Sequence, residues 1–172
     1  MSQGSPELLK MLAEIEPRKP YGTALFDALA KATISIGVEA VCLRLNLEKK
    51  VEVYLTQRSP NDTAYPGEWH CPGSVLRPTE NWEDVFKRLA EREFGGRISS
   101  TRFIANANDP AEARGHFISV IYLCTLEEPT ENPKGKWFPV NHLPEKTVEC
   151  HRYRIIPAAV GAFVAENTSI CW

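Results

Sequence analysis

A strand-like lead-in, a tight loop and an amphipathic helix follow one another over residues 69–95, and that order constrains the fold more than any other stretch. The segment reads Trp69-His70-Cys71-Pro72-Gly73-Ser74, followed by Glu80, Arg88, Glu93 and Gly95. Pro72-Gly73 keeps the loop tight. Trp82, Val85, Phe86 and Leu89 recur at helical spacing, which predicts a helix over about 81–94 with Leu89 turned into the core. Positions 89, 92 and 93 are spaced i, i+3 and i+4, so their side chains leave one helix face toward one small volume. Here they are Leu, Arg and Glu, whose charges cancel.

These residues resemble the Nudix box, G-x5-E-x7-R-E-U-x-E-E-x-G-U with U a bulky apolar residue. Glu80, Arg88, Glu93 and Gly95 match it, and Ala90 loosely fills the first U. Ser74, Leu89, Arg92 and Gly96 depart from it, and two of those departures replace glutamates. Further familial stretches are Tyr65-Pro66-Gly67-Glu68-Trp69, Gly135-Lys136-Trp137-Phe138, and His151-Arg152 ahead of Ile155-Ile156. The resemblance covers about residues 33–166. It implies an α/β/α sandwich with a mixed β-sheet over 33–172, preceded by a short helical extension, 1–32.

The resemblance further implies a hydrolase of nucleoside diphosphate linked compounds that uses Mg or Mn. Cleaving pyrophosphate at neutral pH needs hard cations on the phosphate oxygens, and magnesium takes oxygen ligands in near-octahedral geometry. By the family pattern Glu93 is the catalytic carboxylate, Glu80 and Arg88 orient the box, and Glu93 with the Gly73 carbonyl remains of the metal site. Replacement ligands would come from Glu68, Glu91, Glu112, Glu127, Glu128 or Glu131. With Leu89 and Arg92 in place of two acids, metal binding is expected to be weak and catalysis weak, altered or absent.

A second reading is a binding module that holds a nucleotide or phosphorylated ligand without cleaving it. Arg92 suits phosphate because its fork binds bidentately without a metal, although it would equally pair with Glu93, an acid elsewhere or water. Arg58 and Arg77 add charge, Trp69, Tyr65 or Trp137 would stack on a base, and His116 would touch the ligand from the loop before it. Core packing is the favoured role for Trp137. Asp84, four residues before Arg88, is a further pairing partner for that arginine.

A third reading compares Leu55–Cys71 with type I isopentenyl diphosphate isomerase, which works through a cysteine and a glutamate. Cys71 would be that cysteine. No histidine precedes His70, however, and the later strand has Gly115-His116-Phe117-Ile118-Ser119 where that family carries E-x-E. Cys71 is therefore expected to be a buried thiol.

The 172 residues, 43% apolar, suffice for one well-buried domain. A net charge of −2 argues against a broad nucleic-acid surface. The five cysteines show no CxxC spacing and no zinc motif, and no apolar run reaches the ~18 residues of a membrane span. A cytoplasmic protein is expected, with a homodimer possible by family habit.

Along the chain, helices are expected from Ser5-Pro6 to before Pro17 and over 23–31. A hairpin spans 35–59 about a turn at Glu48-Lys49-Lys50. Strands follow near 102–107, over 116–126 and over 135–140, separated by loops at 108–115 and 127–135. A last helix starts or kinks at Pro157.

Overall fold

Along the first long strand apolar side chains alternate in two sets, and both sets are covered. In this computed structural model, which describes residues 5–19, 22–127 and 132–168, β1 is Ile34–Leu45. Val38, Ala40 and Cys42 enter one core, while Val41 on the opposite face enters another. Burial on both faces marks a central strand, because successive side chains point to opposite sides of a sheet.

The other strands are β2 (Val51–Gln57), β3 (Trp69–His70), β4 (Gly73–Val75), β5 (Arg97–Glu112), β6 (Gly115–Glu127) and β7 (Gly135–Pro139). They form a seven-stranded sheet whose main path runs β3-β2-β1-β6-β5, with β4 on β1 and β7 on β2. β1 and β6 are parallel, whereas β1 with β2, β4 with β1 and β5 with β6 are antiparallel. The sheet is therefore mixed, as expected.

Among the described residues four α-helices accompany it: α1 (Pro6–Ala13), α2 (Thr23–Ala32), α3 (Trp82–Leu89) and α4 (Ile156–Thr168). α3 begins with a capping box in which Asn81 and Asp84 satisfy each other's backbone N–H. Val85, Phe86 and Leu89 then pack with Val38, Tyr54 and Phe94. Leu89 is 1% exposed, and burying such a side chain contributes about 1.5–3 kcal/mol. On the other face Ile155, Ile156 and Ala159 pack against Val41, Val53, Leu55 and Ile121. Two apolar layers thus sandwich the sheet.

Several expectations change. The stretch 108–115 is not a loop: β5 pairs with β6 as far as Glu112–Gly115 through register shifts, leaving only Ala113 and Arg114 to turn. Trp82 is 43% exposed and tilts against Tyr122 rather than completing the core stripe. Asp84 pairs with Arg18 at 3.6 Å, not with Arg88. After Leu89 the helix widens into a π-helical turn, Ala90–Phe94, closed by Gly95 at φ 59°. That left-handed backbone favours glycine. A second π-helical turn, His151–Ile155, runs directly into α4 and stands just ahead of Pro157, which lies inside the helical run and has no N–H to give to its ladder. The expected turn over 127–135 lies partly outside the described residues. α1 buries none of its side chains, while α2 lies against β1 and β6.

Candidate functional site

Two cavities open around the loop that precedes α3, and they share Arg58, Asp62 and Gly73 as wall. The strand period decides which side chain reaches which cavity. Thr56 shares the face of Tyr54, the α3 side, and meets Glu93 there. Glu39 shares the face of Val41 and looks toward α4. Gly73, bare of side chain, sits between.

The cavity on the α3 side has a volume of about 410 Å³ and is lined by Thr56, His70, Arg92, Glu93, Lys134 and the three shared residues, among others. The π-helical turn places Arg92 and Glu93 together on its wall. The Thr56 hydroxyl donates to Glu93 Oε2 at 3.3 Å. Burial raises the Glu93 carboxyl, against the lowering effect of that hydrogen bond and of Arg58, Lys134 and Arg92. The expected pairing of Arg92 with Glu93 is absent, and Arg92 forms no ion pair among the described residues. His70 stays neutral, because burial first and then Arg58 and His151 push its pKa well down. Its Nε2 lies 3.2 Å from the Thr56 hydroxyl, while Nδ1 has no partner. Arg58 Nε is likewise buried without a partner.

These donors suit an anion better than a divalent cation. Of the carboxylates lining this cavity, Asp62 is already bound by Arg58 at 3.1 Å and by Arg114. Burial opposes ionisation of Asp62, yet backbone N–H groups of Tyr65 and Ala64 and the two arginines hold its pKa at about 2. Glu93 is left facing three cations. Among the described residues no three Asp, Glu, His or Cys side chains gather to hold a metal ion. The residues present do not fit the magnesium or manganese that the family resemblance implies.

The other cavity, about 450 Å³, is lined by Gly37, Glu39, Tyr65, Arg77, Glu112, Arg114, Phe117, Ser119 and Phe26 of α2, among others. Arg114 ties its rim together, 3.6 Å from Asp27 of α2 and hydrogen-bonded to Asp62. Burial, and then the hydrogen bond that Tyr65 donates to Glu112, push its phenol up to about 12. Glu39 was not singled out from sequence. Its one signal was an acid inside the apolar run Gly37-Val38-Glu39-Ala40-Val41.

The sequence-derived candidates separate. Arg58 and Gly73 line both cavities, Arg77 one, and Arg92 and Glu93 the other. Glu80 and Arg88 line neither. They form a bidentate ion pair, Arg88 Nε to Oε1 at 3.0 Å and Nη2 to Oε2 at 2.7 Å, while Arg88 also reaches Ser74 and the Val75 carbonyl. Trp69 is outside both cavities, edge-on to Phe138. His116 is also outside: alternation on β6 sends Phe117 and Ser119 to the cavity and His116 to Asn108, 2.6 Å away. Trp137 packs edge-on against Tyr54 with Arg44 over its ring.

Of the proposed replacement ligands, Glu112 lines a cavity and Glu127 faces Arg97 at the sheet margin. Glu68 and Glu91 line neither, and Glu128 and Glu131 lie outside the described residues. Cys71 is fully buried, and its thiol is pushed well up by burial and then by Glu39. It is not the ionised thiol that the isomerase reading would favour.

A mixed sheet between helical layers, with a strand-loop-helix unit at the mouth of a polar cleft, defines an α/β/α sandwich. A model of the NUDIX domain matches residues 36–159, and the chain belongs to the Nudix family. Its structure is similar to a MutT/nudix family protein from Enterococcus faecalis, at 22% identity and TM-score 0.64 over 92% of this chain and 69% of that one. It is similar to the NUDIX domain of Shewanella oneidensis NrtR crystallised with ADP ribose, at 20% identity and TM-score 0.64 over 90% and 97%. It also matches S. oneidensis NrtR complexed with a 27mer DNA, at 20% identity and TM-score 0.61, over 76% of this chain and only 63% of that longer one. At these identities the likeness concerns the fold. Curated proteins gave no match. No described helix is long and apolar enough to cross a membrane.

Proposed function

We propose that this protein binds a nucleoside diphosphate-type ligand, for which ADP-ribose is the working model, and holds the phosphates directly on side chains rather than through a metal. The carrying observation is the pair of substitutions on the box face: Leu89 is spent on the core, and Arg92 points with Arg58 and Lys134 at the cavity around Glu93. Guanidinium groups bind phosphate bidentately. A cavity whose acids are either engaged or outnumbered attracts an anion before a cation. The fold-level likeness to a NUDIX domain crystallised with ADP ribose supports the choice of ligand.

In this reading Arg92 and Lys134 grip the phosphate oxygens, while Arg58, held on Asp62, adds its charge to the cavity wall. Thr56 holds Glu93, whose carboxyl burial raises above its ordinary range. Hydrolysis is weak or absent, since Glu93 is the one box glutamate left at positions 89, 92 and 93, and losing members of a cooperating set costs more than their separate effects.

The test is a binding series with ADP-ribose on the native protein and Arg92→Ala, with chromatographic assay of AMP release in the presence of Mg or Mn. Binding about tenfold weaker in Arg92→Ala, or ~1.4 kcal/mol, with no AMP formed, supports the proposal. Metal-dependent AMP release abolished by Glu93→Gln overturns it in favour of a hydrolase with relocated ligands.

A further inference from the structure

The cavity facing α4 contains an acceptor that the fold leaves unsatisfied. Glu39 stands in register between Gly73 on β4 and Ile121 on β6. Its carboxyl lies over Gly73 so closely that a Cβ there would come 2.3 Å from Oε2, and one at Gly37 would come 3.3 Å from Oε1. Gly73 thus leaves the room this carboxyl occupies, and Gly37 borders it closely. The Ser119 hydroxyl donates to Oε1 at 3.5 Å, whereas Oε2 is shut off from solvent and accepts from no group. Leaving a buried polar atom unpaired is costly, so the group is better explained by an external partner than by stability.

The surrounding charges narrow that partner. Arg114 is engaged by Asp62 and Asp27, Arg58 by Asp62, and Glu112 by the Tyr65 hydroxyl and the Arg114 backbone. Apolar wall comes from Phe26, Phe117 and Ile155. Lys19 and Arg77 also line this cavity, yet Glu39 Oε2 accepts from neither, so the unmet polar demand at that atom is for a hydrogen-bond donor carried on a largely apolar group. The two cavities meet at Gly73 and Arg58.

We infer that Glu39 is a specificity residue: its carboxyl accepts a hydrogen bond from an exocyclic amino group on the ligand's ring, while the adjoining cavity holds the phosphates. This rests on the phosphate-binding reading above and adds which end of the ligand is recognised and by what. A site built to pair a polar group rejects the analogue that lacks it, because its own buried group then goes unpaired. An amino-bearing base is selected over the same base without the amino group.

The experiment measures dissociation constants for ADP against purine riboside 5′-diphosphate, which lacks the 6-amino group, and for GDP against IDP, which lacks the 2-amino group. The native protein, Glu39→Leu and Arg92→Ala are compared. The expected result is a loss of tenfold or more on removing the amino group in at least one pair, abolished in Glu39→Leu and retained in Arg92→Ala, which weakens both members equally. Glu39→Leu should melt no lower than the native protein, and Glu39→Gln, which keeps an acceptor oxygen, should retain part of the discrimination. Equal affinity within both pairs, with binding still weakened by Arg92→Ala, overturns this inference alone. Absence of binding by all four diphosphates to the folded protein overturns it together with the phosphate-binding reading.

Discussion

Replacing Arg88 by Ala would test the role assigned to the best-preserved pair of the box. Arg88 holds both carboxylate oxygens of Glu80, the Val75 carbonyl and the Ser74 hydroxyl. The two side chains are only 12% and 7% exposed. Without the guanidinium, Glu80 keeps just the Arg77 backbone N–H as a hydrogen-bond donor, and breaking a buried pair from one side costs about 3–5 kcal/mol. For a chain of this size each kcal/mol moves the midpoint by roughly 2–4 °C, so a fall of roughly 6–20 °C is expected. The assay is thermal and denaturant unfolding of the native protein, Arg88→Ala and Glu80→Gln across pH. Burial favours the protonated form of Glu80, yet the Arg88 hydrogen bonds, the Arg77 N–H and the charges of both arginines depress its pKa below 4.5. Its contribution is then fully present above about pH 4.5 and is lost as pH falls through the lower folded-state value. A loss below about 1 kcal/mol, typical of an exposed pair, or a Glu80→Gln effect that ignores acid pH, would refute the reasoning.

Gly135→Ala should destabilise by about 1–3 kcal/mol by overpacking, because a Cβ there would come 1.7 Å from the Tyr54 hydroxyl oxygen and 2.3 Å from its ring; the denaturant midpoint checks this. Glu39 has its pKa raised to about 7, by burial above all, with Arg58 and Ser119 pulling it down. The folded state therefore holds that proton more tightly than the unfolded one, and stability should fall as pH rises from about 4.5 to about 7 and then level off. Unfolding at a series of pH values should show that slope in the native protein and lose it in Glu39→Gln.

The sandwich was legible because its signals are local. Val85, Phe86 and Leu89 fall at helical spacing and do enter the core, and the alternation on β1 does mark a strand. Local signals failed where long-range pairing decides. Residues 108–112 carry Asn, Asp and Pro, yet pairing with β6 through register shifts keeps them in a strand. His116 and Phe117 are equally near the cleft in sequence, and only the register fixed by β1 and β6 tells which one faces it. Glu39 and Gly73 are far apart in the chain and become neighbours through β1–β4 pairing. Arg92 beside Glu93 was readable from the helix, but that Lys134 and Arg58 arrive at the same cavity from other elements depends on the tertiary fold.

The most direct test of a metal-free phosphate site is calorimetric titration of ADP-ribose into the protein in excess EDTA and again in excess magnesium. Binding of the same affinity in both, weakening as ionic strength rises, is the predicted result. Binding that appears only with magnesium would contradict it and return Glu93 to the role of a metal ligand.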